Sequence, residues 1–180
     1  ADVVFGKVNP SAKLTITFPK SLEQYPEDFY SIEERNEYKE GIYVGYRYFD
    51  KYKIEPLFPF GYGLSYTNFN YSNLKISAKN NSAKVVLDIE NTGDFDGADV
   101  VQLYVRDLES SVDRPLKELK DFKKVFLKKG EKKNIEFTLS ENAFAFWDDV
   151  SKDWKVEPGE FEILIGKSSE NIILKKIIKI

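Results

Sequence analysis

From Tyr66 to the end of the chain the sequence predicts a mainly β protein, a sandwich of two antiparallel sheets. Three observations carry this. Apolar residues recur with period two in short runs: Val85, Leu87 and Ile89; Val101, Leu103 and Val105; Ile135, Phe137 and Leu139; Phe161, Ile163 and Ile165. Turn residues punctuate these runs roughly every ten positions. No long amphipathic helix interrupts them. Each run has a single apolar face, and two sheets stacked face to face are the stable way to bury such faces. About seven strands are expected.

Taken in order, Phe69–Ala78 alternates weakly and ends at the Asn80-Asn81 turn. Lys84–Asn91 and Asp99–Arg106 each turn three apolar residues to one side. Lys117–Leu127 ends strand-like before the Lys129-Gly130 turn. Asn134–Leu139 follows, then Phe144–Trp147 as a short aromatic strand. Pro158-Gly159 suits the centre of a type II turn, where glycine supplies the positive φ. Glu160–Gly166 and Ile172–Ile180 complete the set.

The stretch before Tyr66 has another character. Ala1–Phe5 is like the last turn of a helix stopped by Gly6. Asn9-Pro10-Ser11 marks a turn, and Leu14–Phe18 (LTITF) alternates as a strand closed by Pro19. A helix end and one strand cannot make a core, so they are the edge of a domain whose body is not in this sequence. Ser21–Glu40 is polar, and Ser31 with Glu34 fits a capping box opening a short helix. Gly41–Thr67 then packs nine rings into one run: Tyr43, Tyr46, Tyr48, Phe49, Tyr52, Phe58, Phe60, Tyr62 and Tyr66. Gly41, Gly45, Gly61 and Gly63, with Pro56 and Pro59, forbid one continuous helix through it.

Composition narrows the chemistry. The 180 residues suffice for a real core, burying roughly 70% of the unfolded surface, as one domain or one domain with an appendage. With 27 basic and 30 acidic residues the net charge is −3, which argues against a dedicated nucleic-acid binder. No apolar run is long enough for a membrane-spanning helix, and no secretory signal is visible. The absence of Cys removes disulfides, thiolate nucleophiles and zinc–sulfur sites, and the absence of His removes the commonest general base and metal ligand. The absence of Met fits a piece of a longer chain. No metal or cofactor is expected. Localisation is open, with the cytoplasm favoured over secretion.

Four clusters invite functional readings. Asp148, Asp149 and Asp153 flank Trp147 and Trp154, as a sugar-stacking site beside acids would; the preferred alternative is a hairpin whose tryptophans pack in the sandwich. Asp94, Asp96 and Asp99 around Gly97 have the texture of a calcium loop without the full spacing, and an Asp-rich turn is preferred. The lysines of Lys117–Lys133 suit an anionic polymer, but charged strand edges explain them better. The aromatic run either lines a sugar subsite or staples this chain to a large partner. The staple is preferred, since each fully buried ring contributes about 1.5–3 kcal/mol and nine rings exceed what a subsite needs. Arg47 between Tyr46 and Tyr48 then needs a carboxylate partner. Without that partner surface the run should be partly exposed, disordered or folded back onto neighbouring chains; well-ordered rings packed only within the same sandwich would count against a staple.

Several phrases appear in a fixed order: ADVVFGKVNPSAKLTITFP, EGIYVGYRYFDK, PLFPFGYGLSYT, ENTGDFDGADVVQLYVRD, RPLKELKDFKKVFLKKGEKKNIEFTL and VEPGEFEILIG. Together they resemble the C-terminal end of a glycoside hydrolase family 3 enzyme, most like a bacterial β-glucosidase, over nearly the whole chain. The resemblance implies three parts: residues 1–24 as the tail of the family's α/β-sandwich domain, 25–65 as an interdomain linker, and 66–180 as a fibronectin type III-like, immunoglobulin-like domain. It implies that the catalytic nucleophile and the acid/base lie in preceding domains, because no position here matches either motif, and that sugar choice resides there too. The implied partners are the barrel and α/β-sandwich domains of the same enzyme, with a β-glucoside reached through them. Tyr43, Tyr46, Arg47, Tyr48, Phe58, Phe60 and Tyr62 are the candidate interdomain contacts. An independent carbohydrate-binding or adhesion module is the competing reading, since sandwiches host many functions.

Overall fold

A computed structural model describes residues 1–26 and 38–180. The Ser31–Glu34 capping box lies outside the described residues. Nine strands are present among the latter. β1 (Phe69–Lys79), β2 (Ser82–Asn91) and β5 (Lys132–Leu139) form one antiparallel sheet in the order β1-β2-β5. β3 (Gly97–Asp107), β4 (Glu118–Leu127), β8 (Glu160–Gly166) and β9 (Ile172–Lys179) form the second, in the order β4-β3-β8-β9. β6 (Phe146–Asp148) and β7 (Asp153–Lys155) pair as a separate hairpin. The seven strands of the two sheets make the sandwich that the periodicity predicts.

Its core is built from the period-two residues. Val85, Leu87 and Ile89 of β2, Val101 and Leu103 of β3, and Phe161, Ile163 and Ile165 of β8 are fully buried, joined by Phe137 of β5 and by Phe144. Phe144 and Phe161 meet edge-to-face at 5.2 Å. The weak alternation of β1 has a local cause. Asn73 adopts a left-handed conformation (φ 57°), and the pairing with β2 shifts between Ser72 and Lys75. The bulge moves the inward phase from Phe69 and Tyr71 to Leu74 and Ile76. At the β1–β2 turn both Asn80 and Asn81 have positive φ, the requirement of a two-residue hairpin loop.

The structure corrects three expectations and adds an element. Leu14–Phe18 makes a single bridge, Phe18 with Phe58, instead of a strand, and bends at Thr15 and Ile16. Its ladder partner among the described residues is the irregular 57–62 segment, which bonds its ends and not its middle. Phe144 is not in a strand: a 3-10 turn (Glu141–Ala143) drops its ring into the core, and the strand starts at Phe146. Gly159 does not take positive φ. It exchanges two backbone hydrogen bonds with Ile180, both 3.1 Å, so Pro158-Gly159 extends the β8–β9 ladder instead of turning. A seven-residue helix, α1 (Tyr46–Tyr52), forms inside the aromatic run between the glycine and proline breaks. The N-terminal helical turn is present as expected: Gly6 (φ 72°) donates to Val3 O and Lys7 to Asp2 O, the double bond of a Schellman stop.

Leu103 and Phe161 have no exposed surface, so truncating either leaves an unfilled space between the sheets. Leu103→Ala or Phe161→Ala is expected to lower the unfolding free energy by about 2–5 kcal/mol. The check is a lower denaturant midpoint at unchanged slope.

Candidate interdomain surface

The aromatic run is divided by α1 into a side that faces its own sandwich and a side that faces away. Gly45 enters the helix at φ 59°, and Lys53 closes it in a left-handed conformation. Tyr46 is the inward anchor. Its ring meets Tyr104 of β3 edge-on at 5.9 Å and lies 5.0 Å from Phe60, in a cluster with Leu119, Leu164 and Ile172. The Leu119 N–H donates to its hydroxyl at 2.9 Å. Tyr48 and Phe49 are also buried and hold Tyr25, stacked on the first at 5.7 Å and edge-on to the second at 5.3 Å.

Beside this anchor the backbone of Gly61 lies against Gln102. The Gln102 amide donates to Gly61 O (3.0 Å) and Lys167 O (2.8 Å), and its oxygen accepts from Tyr104 Oη at 2.6 Å. A Cβ on Gly61 would sit 2.1 Å from Gln102 Oε1, and φ there is 79°. Only glycine satisfies both conditions. Ser169 N–H donates to Phe60 O (2.9 Å), which fixes the next residue as well. The outer face of β3 is therefore covered, and burial pushes the Tyr104 hydroxyl far above its ordinary pKa.

Charged groups hold the helix from its other flank. Asp50 pairs with Lys117 at 2.6 Å, both side chains largely buried. Burial raises the Asp50 carboxyl above its ordinary value, and Lys117 offsets this only in part. Arg47 finds the carboxylate its position requires, Glu118, at 3.6 Å. Glu118 also binds Arg114 (3.1 Å) and Lys120 (3.3 Å). Burial acts to raise the Glu118 carboxyl, yet Lys120, Arg114 and Arg47 outweigh it and hold the pKa below the ordinary value. Arg114 is the hub, donating to Asp107, to Glu118 and to the carbonyls of Phe144 and Ala145. Further out, Tyr43 Oη and Lys51 Nζ share Asp113 at 2.6 and 2.8 Å, with the ammonium 3.5 Å over the tyrosine ring.

The N-terminal segment is tied to the same assembly. Leu14 N–H donates to Tyr62 O and Gly61 N–H to Leu14 O, each 2.8 Å. Lys13 pairs with buried Asp99 at 2.9 Å, and Asp99 also accepts from Tyr71 Oη. Asn9 donates to Asp96 O and accepts from Ser65 and from Tyr66 N–H.

Of the candidate contacts, Tyr46 and Tyr48 are turned into the chain, and Tyr43, Arg47, Phe60 and Tyr62 are half-buried. Phe58 is exposed, as are the run's aliphatic members Ile42, Val44, Leu57 and Leu64. The run is thus partly exposed, as expected without its partner, while its inward rings seat on the sandwich. The tryptophans do not pack in the sandwich: Trp147 and Trp154 face each other across the β6–β7 hairpin, 48% and 62% exposed, edge-on at 5.8 Å. The Asp94–Asp99 carboxylates disperse, Asp94 to Lys129 and Asp99 to Lys13. The lysines that open β5 pair with carboxylates of this chain, Lys132 with Asp88 and Lys133 with Glu131. Sequence reasoning missed Gln102, Asp50, Glu118 and Arg114. Gln102 occupies an outward-parity position on a strand, and the arginine sits in a loop, so no periodicity marks either.

A depressed carboxyl stabilises the fold above its unfolded pKa, near 4.3 for glutamate, and loses that contribution as pH falls through the folded value. Glu118→Gln is expected to destabilise by roughly 3 kcal/mol at neutral pH, leaving Arg114 and Lys120 short of a buried partner. The gap between variant and parent should close as pH drops from about 5 to 3, measured by denaturant unfolding across pH. Gly61→Ala, at positive φ and against Gln102, is expected to lose at least roughly 1–3 kcal/mol in the same assay.

Comparison with known proteins follows the same division. A model of the glycosyl hydrolase family 3 C-terminal domain matches residues 1–66, and a fibronectin type III-like domain model matches residues 99–169. Thermostable beta-glucosidase B of Acetivibrio thermocellus is 52% identical over all of this chain and 25% of its own length. Beta-glucosidase BoGH3A of Bacteroides ovatus is 47% identical over 96% of this chain and 24% of its own. The crystal structure of the Bifidobacterium adolescentis GH3 beta-glucosidase superimposes with a TM-score of 0.96 at 42% identity, over the whole chain and 27% of that protein. The chain spans about a quarter of the length of the relatives it matches. It belongs to glycoside hydrolase family 3, matching the C-terminal region of its β-glucosidases.

Proposed function

We propose that the chain is the non-catalytic C-terminal segment of a retaining, β-glucosidase-like exo-hydrolase, which removes terminal β-glucosyl residues and whose catalytic carboxylates lie in preceding domains. In this reading residues 1–24 complete the α/β-sandwich domain, 25–65 cross between domains, and 66–180 form the sandwich that braces the crossing. The observation that carries it is the distribution of unburied apolar surface. Among the described residues, most large apolar side chains left exposed precede Thr67, in the shorter part of the chain. Val4 (81%), Leu22 (67%) and Leu64 (68%) are among them. A surface this apolar marks a contact; relatives about four times as long as this chain support a partner within the same enzyme, in this reading its barrel and α/β-sandwich domains.

The role assigned to the candidate contacts then divides. Tyr46 and Phe60 act from behind, fixing the run on the sandwich, while Tyr48 packs within the linker against Tyr25, Phe49 and Tyr52. Tyr43, Arg47, Phe58 and Tyr62, with Val44 and Leu57, meet the partner domains. The contribution to catalysis is positional, since a displacement of about 1 Å at a catalytic group can lower the rate around 100-fold.

The isolated 180-residue chain is expected to show no hydrolysis of an aryl β-glucoside, and its addition to the preceding part of the enzyme is expected to restore or stabilise activity; measurable hydrolysis by the chain alone overturns the proposal. In the full-length enzyme, Val44→Asp should lower the unfolding free energy by about 1–3 kcal/mol. Val150→Asp, at the fully exposed hairpin tip, should leave it unchanged.

A further inference from the structure

We infer that the β6–β7 hairpin carries a saccharide-binding site, in which Trp147 and Trp154 stack on the flat faces of a β-linked glucan while Asp149 and Asp153 accept its hydroxyls. The site is separate from the interdomain surface, and only the choice of sugar rests on the β-glucosidase reading above. Strand alternation decides what the hairpin presents. Trp147 and Trp154 are cross-strand partners and share one face, whereas Phe146 and Asp148 point to the other. That other face is the attached one. Phe146 is buried with the Arg114 guanidinium 5.9 Å from its ring, and the same guanidinium holds the Phe144 and Ala145 carbonyls.

The tryptophan face is left open. The two ring planes meet at 78°, so one ring lends an edge and their pairing covers at most one of the four ring faces. The hairpin is also set before any ligand arrives. The Asp148 carboxylate accepts from Val150 N–H (3.2 Å), Ser151 N–H (3.4 Å) and Ser151 Oγ (2.8 Å). Lys152, in a left-handed conformation (φ 55°), donates its N–H to Asp148 O at 2.8 Å. A tip closed in this way lowers the ordering cost of binding.

Size and rim decide the occupant. Two half-open indoles offer on the order of 250 Å², against about 800 Å² per partner in a stable protein interface. Asp148, Asp149, Lys152, Asp153 and Lys155 all stand within two residues of a ring, and a protein surface would strip water from these charges. A pyranose has the matching chemistry, an apolar C–H face with a rim of hydroxyl donors. Asp148 is committed to the tip, but Asp149 meets Lys152 only at 3.7 Å and Asp153 accepts Trp154 N–H through Oδ1 alone, which leaves acceptor sites on both among the described residues. β-Linked glucose, with every ring substituent equatorial, has the flattest such face and repeats it along the chain, so two rings can act on one ligand. The hairpin thus holds the polymer whose ends the enzyme of the preceding reading consumes.

Affinity electrophoresis of the full-length enzyme tests this, with hydroxyethyl cellulose in the gel and soluble starch as the α-linked control. The parent should be retarded by hydroxyethyl cellulose alone, and Trp147→Ala or Trp154→Ala should raise the apparent dissociation constant about tenfold. Radical footprinting of the parent needs no substitution: both tryptophans should oxidise readily in the free enzyme and be protected by hydroxyethyl cellulose. No retardation, or equal retardation of parent and variants, overturns the site, and equal retardation by starch overturns the β-linked ligand. Tryptophans already protected without glucan are covered by another domain, which also overturns it. Hydrolysis of an aryl β-glucoside by the parent reads the enzyme assignment separately, since activity without retardation removes the hairpin site alone.

Discussion

The approach of Gly61 to Gln102 governs how the two parts of the chain meet. At this point the covering segment lies so close to β3 that a side chain on one partner is impossible. The Gln102 carboxamide uses both faces of its chemistry, donating to two carbonyls from different loops and accepting from Tyr104. Glutamate would present acceptors to carbonyls, and leucine would leave those carbonyls dry and unpaired. The position of α1 follows from this register. Once Phe60 and Gly61 are fixed, Tyr46 falls over Tyr104, Asp50 faces Lys117 and Arg47 faces Glu118.

The charges play a different role from the rings. Burying an ion pair seldom adds much net stability, because desolvation opposes the attraction. The Arg114 cluster includes three cations around Glu118, yet its geometry is demanding. Arg114 spends its donors on two carboxylates and on two carbonyls next to the β6–β7 hairpin, tying that hairpin to the start of β4. Rings supply adhesion between linker and sandwich, and the charges fix which carboxylate each cation meets.

The sandwich was legible because its core obeys a period of two. Val85 to Ile89, Val101 to Val105 and Phe161 to Ile165 face inward as alternation dictates. The weak signal of β1 reflects a phase change at Asn73, which a left-handed residue imposes and an averaged pattern blurs. The covered side of β3 was not legible. Gln102 and Tyr104 occupy positions that alternation assigns to water, and they are buried only because a segment some forty residues upstream lies over them. Helix α1 was hidden similarly: seven residues between glycine and proline breaks are too few for a helical period to show. Composition alone misread Leu14–Phe18 as a strand: the chain bends at Thr15 and Ile16, and only its two ends bond to residues 57–62.

The Gly61–Gln102 contact also bears on how such enzymes can be recombined. Its two members come from the two segments that the family models treat separately, residues 1–66 and 99–169. A sandwich transplanted from a distant relative would be a correct fold in the wrong key unless it carried a carboxamide at the Gln102 position and left room for a bare backbone opposite. The join between modules is therefore not at the linker where an engineer would cut. It runs through the middle of β3, where Gln102 meets the bare backbone of Gly61.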